Sequence, residues 1–147
     1  MRRPKRIQEW ILSNSTFRSP ANIAAVANKL VADSPTLNVL INNAGIMQID
    51  DAAGKIDDQL LTSTVTTNLF GPIRLTSALI EHLKKQPKAA VIYNTSALAF
   101  VPLALTAVYS STKAALHSYV LSQRYKLKGT SVQRSGNRSA VGPNRPS

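Results

Sequence analysis

The sequence predicts an α/β fold in which a small parallel sheet carries helices on its faces. Two short runs, residues 37–41 and 89–94, are apolar apart from Asn38 and the closing Asn94 and show no regular alternation, as strands of a parallel sheet do. The segments around them repeat apolar residues at helical spacing. The first run ends in Asn42-Asn43-Ala44-Gly45, at the carboxyl side where open α/β sheets place their ligands. A chain of 147 residues is one domain, large enough to bury a real core.

Residues 1–20 read as a divergent basic segment. Arg2, Arg3, Lys5 and Arg6 open it, and residues 13–18 lack the apolar continuity of a buried strand. A partial core then runs over residues 21–133. Ser19 and Pro20 suit the N-cap and first position of a helix with Ile23, Val26, Ala27 and Leu30 on one side. Asp33-Ser34-Pro35 stops it. After the strand at 37–41, Gly45 permits close approach of backbone and cofactor, and the asparagines can tie the turn to neighbouring strands. Residues 46–55 read as a polar loop.

Asp57 and Asp58 suit the positive end of the next helix. Its stripe holds Leu60, Leu61, Val65, Leu69, Ile73, Leu75, Leu79, Ile80 and Leu83. Pro72 falls inside it. Proline lacks the N–H that the carbonyl of Asn68 would accept, so that carbonyl is left for another partner such as water. Lys84 and Lys85 suit the negative end, and Gln86-Pro87 end the helix. The strand at 89–94 leads through Ser96 into an apolar loop, residues 98–106. Its Phe100, Val101, Leu103 and Leu105 fit either a substrate wall or core packing. A helix free of Gly and Pro follows over residues 107–127, with His117 packed or solvated on it.

That last helix carries the chemistry. Tyr109 and Lys113 are separated by one turn, which puts phenol and ammonium on one face. A phenol normally titrates near pH 10, and a cation beside it favours the phenolate, making an acid/base of the tyrosine. Ser96, at the strand end before the helix, can hold a substrate oxygen.

In order and spacing, Asn42-Asn43-Ala44-Gly45, Asn68-Leu69-Phe70-Gly71, the run ending in Ser96 and Tyr109-Ser110-Ser111-Thr112-Lys113 resemble the core of a short-chain dehydrogenase/reductase. The resemblance covers residues 21–133. It implies a Rossmann-like sheet and an NAD(P)-dependent oxidoreductase acting on a small-molecule alcohol or carbonyl. It further implies Tyr109 as proton donor and acceptor, with Ser96 orienting the substrate oxygen. Lys113 would tune Tyr109 and bind ribose, and Asn68 would hold a relay water. Asn43, Ala44, Gly45, Tyr109 and Lys113 would contact the cofactor. In this family an Arg-rich stretch such as residues 2–6 can meet the 2′-phosphate of NADPH, which tilts the choice toward NADP over NAD; a solvated basic terminus is the alternative.

The same comparison implies an incomplete fold. The family's first strand and Gly-rich pyrophosphate turn have no counterpart, since no G-x-x-x-G-x-G occurs in the chain. Residues 134–147 hold one aliphatic larger than alanine and read as a disordered basic tail. Codons compatible with residues 135–146 can encode a family-like strand and turn in a shifted frame, so a displaced reading frame is expected at the ends. About three strands remain, too few to cover the apolar helix faces. The expected protein is a truncated oxidoreductase, weakly active or inactive, with homo-oligomers through the long helices as a further expectation. Its alternatives are an inactive fragment associating with an intact relative and a basic nucleic-acid-binding protein.

Composition narrows the partners. The net charge of +11 is concentrated at the two ends, residues 1–18 and 124–147, and the middle is nearly neutral. A nucleic-acid face would spread its basic residues over the folded core among aromatics, so no specific nucleic acid is expected. There is no cysteine, and His82 and His117 lack ligand-spaced partners, so no metal site is expected. No run of about 18 apolar residues occurs to span a membrane, and no apolar stretch of the secretory type follows the basic start. The cytoplasm is the expected compartment.

Overall fold

The computed structural model describes residues 19–136. The basic segment up to residue 18 and the tail from residue 137, with the expectations placed on them, lie outside the described residues. Strands β1 (Val39–Asn42), β2 (Ala89–Tyr93) and β3 (Val132–Gly136) form one parallel sheet in that spatial order. Leu40 stands beside Val91, and Ala89 beside Val132. The helices are α1 (Pro20–Asp33), α2 (Asp58–Val65), α3 (Gly71–Lys84) and α4 (Ala107–Lys126).

Strand β3 corrects the reading of the tail. The core was expected to end at Gln133 and disorder to begin at residue 134. Instead Arg134, Ser135 and Gly136 continue the ladder opposite Val91, Ile92 and Tyr93. Backbone pairing with β2 supplies the order that side-chain hydrophobicity does not, because the ladder satisfies N–H and C=O groups whatever the side chain. A left-handed residue, Gly129 at φ 83°, turns the chain between α4 and this strand.

Strand β1 starts two residues later than the apolar run. The Leu37 N–H bonds the Ser34 carbonyl and the Leu37 carbonyl meets Nε2 of His82, so the front of the run is spent on a turn. Its burial also alternates. Leu40 and Asn42 are buried, whereas Val39 and Ile41 are 45% and 61% exposed. Helices α1, α3 and α4 pack Ile23, Ala27, Leu30, Leu75, Leu79, Leu83 and Leu116 onto the face that holds Leu40, Val91 and Val132. The opposite face is uncovered by any described element. The apolar surface left open thus includes one side of the sheet, besides Leu61 of α2, Phe70, and Leu121 and Tyr125 of α4.

At the start of α1, Ser19 occupies the N-cap position in extended conformation, but its side chain makes no capping bond; Pro20 at the first turn shapes the start. Asp57 does cap α2, accepting the N–H groups of Gln59 and Leu60 at 3.3 and 3.2 Å. The single long helix expected from residue 57 to 85 is interrupted. Residues Thr66–Phe70 form a π turn in which the Gly71 N–H reaches back five residues to the Thr66 carbonyl. Pro72, which cannot supply the regular bond, sits at the start of α3 directly after this widening.

Candidate active site

The site lies at the carboxyl ends of β1 and β2, facing the first turns of α4. Asn68 projects from the π turn and is fully buried. Its Oδ1 accepts the Ile46 N–H at 2.8 Å, and its Nδ2 donates to the Ile46 carbonyl at 2.8 Å and to Thr112 Oγ1 at 3.2 Å. One side chain therefore clamps the turn after Gly45 by both backbone groups and ties it to α4. The expectation for Asn68 concerned its main-chain carbonyl; the structure shows that the side chain has work of its own.

Gly45 lies against the same atoms. A Cβ at this position would stand 3.5 Å from Lys113 Nζ and 3.6 Å from Asn68 Oδ1. The turn, the π helix and α4 thus converge on one point, and residues far apart in sequence meet there. Asn43 joins the strand ends, accepting Asn94 Nδ2 on its Oδ1 at 2.7 Å. Ala44 is half-buried and packs on the core.

Lys113 is buried, and its ammonium donates to the Asn94 carbonyl at 2.8 Å. Its Nζ lies 5.6 Å from the centroid of the Tyr109 ring, so the predicted pair does share a helix face. Burial pulls the Lys113 ammonium below the ordinary lysine range, because the charged form gives up hydration that one carbonyl replaces only in part. Tyr109 itself is half-buried. Ser96 sits three residues beyond the end of β2 and caps a short 3-10 turn, Ala97–Ala99, accepting the Leu98 N–H on Oγ at 3.2 Å. Its own O–H donates to no described group.

Two features were invisible to the sequence reading. Asp50, in what reads as a polar loop, is buried and accepts the N–H groups of Ala107 and Val108 at 3.1 and 2.9 Å. It caps the helix that carries Tyr109, while the residue at the N-cap, Thr106, makes no side-chain capping bond. Only the polarity of Asp50 was legible; no local signal pairs it with a helix start so distant in sequence. The second feature is a buried polar chain. Asn42 Nδ2 meets Thr76 Oγ1, Thr76 meets the Tyr93 hydroxyl, and that hydroxyl meets Gln123 Oε1, at 3.0, 3.0 and 2.8 Å. Tyr93 has one proton, so a consistent order has Thr76 donating to Tyr93 and Tyr93 donating to Gln123. Burial pushes the Tyr93 phenol up to about 12. This chain braces the end of β1 against α3, β2 and α4.

Among the described residues no group of three or more His, Asp or Glu side chains could hold a metal ion. No described helix is long and apolar enough to cross a membrane.

The chain can now be set beside known proteins. The sequence pattern of the short chain dehydrogenase family matches residues 5–136. An uncharacterized oxidoreductase, DltE of Bacillus subtilis, is 46% identical over 100 residues, which cover 67% of this chain and 40% of the relative. A short-chain dehydrogenase structure from Streptomyces avermitilis matches with a TM-score of 0.74 at 26% identity, covering 80% of this chain and 43% of the other. A metagenomic short-chain oxidoreductase, solved in complex with NADP, matches with a TM-score of 0.75 at 24% identity, covering 80% of this chain and 53% of that one. The chain thus spans about half or less of the length of these relatives. A family pattern met over most of the chain, on a parallel sheet and helices that match those of solved members, makes this chain a member of the short-chain dehydrogenase/reductase family.

Proposed function

We propose that the chain forms the proton-transfer and nicotinamide-ribose side of an NAD(P)-dependent oxidoreductase that interconverts an alcohol and a carbonyl. The observation that carries this reading is the convergence of Gly45, Asn68 and Lys113, with Tyr109 over the same ammonium. The donor set suits a sugar. Lys113 spends one N–H on Asn94, leaving two for hydroxyl groups, and Gly45 presents no side chain in front of it. Asn43 and Ala44 would complete that contact with Gly45, Tyr109 and Lys113. A bound nicotinamide supplies or accepts the hydride.

The chain's own residues handle the proton. In reduction, Tyr109 donates its phenol proton to the carbonyl oxygen as negative charge develops there, and in oxidation it takes the alcohol proton back. Lys113 supplies positive charge beside the phenolate left behind. Ser96, whose oxygen already accepts from Leu98, keeps its O–H to orient the substrate oxygen. The Asn68 carbonyl, next to Pro72, is the holder of a relay water toward Lys113. The Arg-rich start and the NADP complex of the metagenomic relative support NADP over NAD.

These 147 residues contain no Gly-rich turn for a pyrophosphate. Losing several charge-assisted hydrogen bonds of roughly 1.5–3 kcal/mol each weakens cofactor binding by orders of magnitude, so negligible turnover is expected of the chain alone. Self-association, or pairing with a longer relative, is a second reading, favoured by the uncovered face at Val39 and Ile41 and by exposed Leu121 and Tyr125. The test is a fusion that places a family βαβ unit before Ala21 and a family C-terminal part after Val132. It should oxidise NAD(P)H with a carbonyl, and Tyr109→Phe should abolish this. A fusion that turns over equally well with Phe at 109 refutes the assignment.

A further inference from the structure

Two loops leave the strand ends that carry the site. Residues 46–50 follow directly from Gly45, and residues 97–105 follow directly from Ser96. They are joined, because the Asp50 N–H donates to the Leu105 carbonyl at 3.0 Å and both Asp50 oxygens hold the start of the Tyr109 helix. The sequence left Phe100, Val101, Leu103 and Leu105 open between core and substrate wall. Their exposure rules out core packing, since with Met47 and Ile49 these side chains are between 45% and 75% exposed. Phe100 is braced rather than buried, its ring edge-on to His117 with centroids 4.6 Å apart, one turn beyond Lys113.

The charge pattern is as informative as the apolarity. Across both loops the only polar side chains are Gln48 and Asp50, and both Asp50 oxygens are occupied inside. Within these two segments the surface therefore offers no free charge to pair with a phosphate, carboxylate or ammonium, and would desolvate one without return. Apolar surface gathered around a site of few polar groups is the composition of small-molecule pockets.

We propose that the substrate is an uncharged apolar molecule bearing one carbonyl or hydroxyl, seated on Met47, Ile49, Phe100, Val101, Leu103 and Leu105; this rests on the oxidoreductase reading above. The six residues sort substrates by charge, and Ser96 with Tyr109 holds the single oxygen.

The test uses the full chain, labelled with 15N, titrated with 2-octanone and with 7-oxooctanoate, which carries a carboxylate in place of the terminal methyl of the same ketone. The expected result is that 2-octanone shifts the amides of Met47, Val101 and Leu105, and that 7-oxooctanoate binds about 10-fold more weakly or not at all. Val101→Asp with Leu105→Asp, both at exposed positions, should weaken 2-octanone by about 10-fold while the circular dichroism spectrum stays that of the parent. Tyr109→Phe should weaken it by about 2- to 10-fold, the value of one hydrogen bond. Equal binding of both ketones, or shifts confined to other surfaces, would overturn the proposal. So would a concentration-dependent dimer dissolved by the double aspartate variant, which would assign the loops to a second copy. If 2-octanone occupies the loops and Tyr109→Phe and Ser96→Ala leave it unchanged, the apolar site stands and the catalytic reading falls.

Discussion

Asp50 accepts the backbone N–H of Val108 at 2.9 Å, across 58 positions of sequence. With the bond from Ala107, one carboxylate satisfies two of the unpaired donors at the start of α4 and sits at the positive end of the helix. The strand-end turn at Gly45 and the helix that bears Tyr109 are thereby fixed to each other. Replacing Asp50 by Ala should cost about 2–4 kcal/mol of stability, because two buried N–H groups lose a charged acceptor. Asp50→Asn should cost less, since the amide oxygen still accepts. Urea midpoints of the two variants check this; a loss near zero for alanine would show that the cap is dispensable.

Asn68 makes a parallel case inside the site. Asn68→Ala would strand the Ile46 N–H and carbonyl and the Thr112 bond. The expected loss is about 2–4 kcal/mol, and the Ile46 amide should exchange much faster than in the parent. Slow Ile46 exchange in the variant would show that the turn is held by something else.

Tyr93 gives stability a signature at high pH. Its folded phenol is raised to about 12 against an ordinary value of 10.0. Above pH 10 the unfolded chain releases this proton and the folded one keeps it, so stability present below pH 10 is lost as pH rises toward 12. The loss attributable to Tyr93 is roughly 2–3 kcal/mol over that window, at 1.36 kcal/mol per pH unit. Comparing urea midpoints of the parent and Tyr93→Phe at pH 9 and pH 11.5 isolates it. If both fall by the same amount, the phenol is not held neutral by the fold.

Lys113 carries the opposite sign. Its ammonium is lowered from an ordinary 10.5 by burial, so between the folded and unfolded values the unfolded chain binds more protons. The parent should therefore gain stability as pH rises toward 10.5, and Lys113→Met should lack that gain. The same variant should be no less stable than the parent at neutral pH, where the buried charge is a cost. A pronounced loss at neutral pH would mean that the Asn94 bond outweighs desolvation.

Much of the fold was present in the sequence as local pattern. The apolar runs before Asn42 and Asn94 announced parallel strands, the spacing of Ile23, Ala27 and Leu30 announced α1, and residues 107–127 matched α4 to within a residue. The pair Tyr109 and Lys113 needed only helical periodicity to share a face, and Pro72 announced an unpaired carbonyl because a missing N–H is a property of one residue, whereas the π turn before it was not announced. Tertiary structure decided what no local pattern encodes. Arg134–Gly136 became strand because a neighbour's backbone was available, not because its side chains ask for it. Val39 and Ile41 became exposed because α1, α3 and α4 pack on the other face of the sheet. The meeting of Gly45, Asn68 and Lys113, and the capture of α4 by Asp50, depend on the three-dimensional placement of distant elements. Periodicity is a property of neighbours in sequence and can be read there. A hydrogen bond between residues 58 positions apart exists only once the chain has folded.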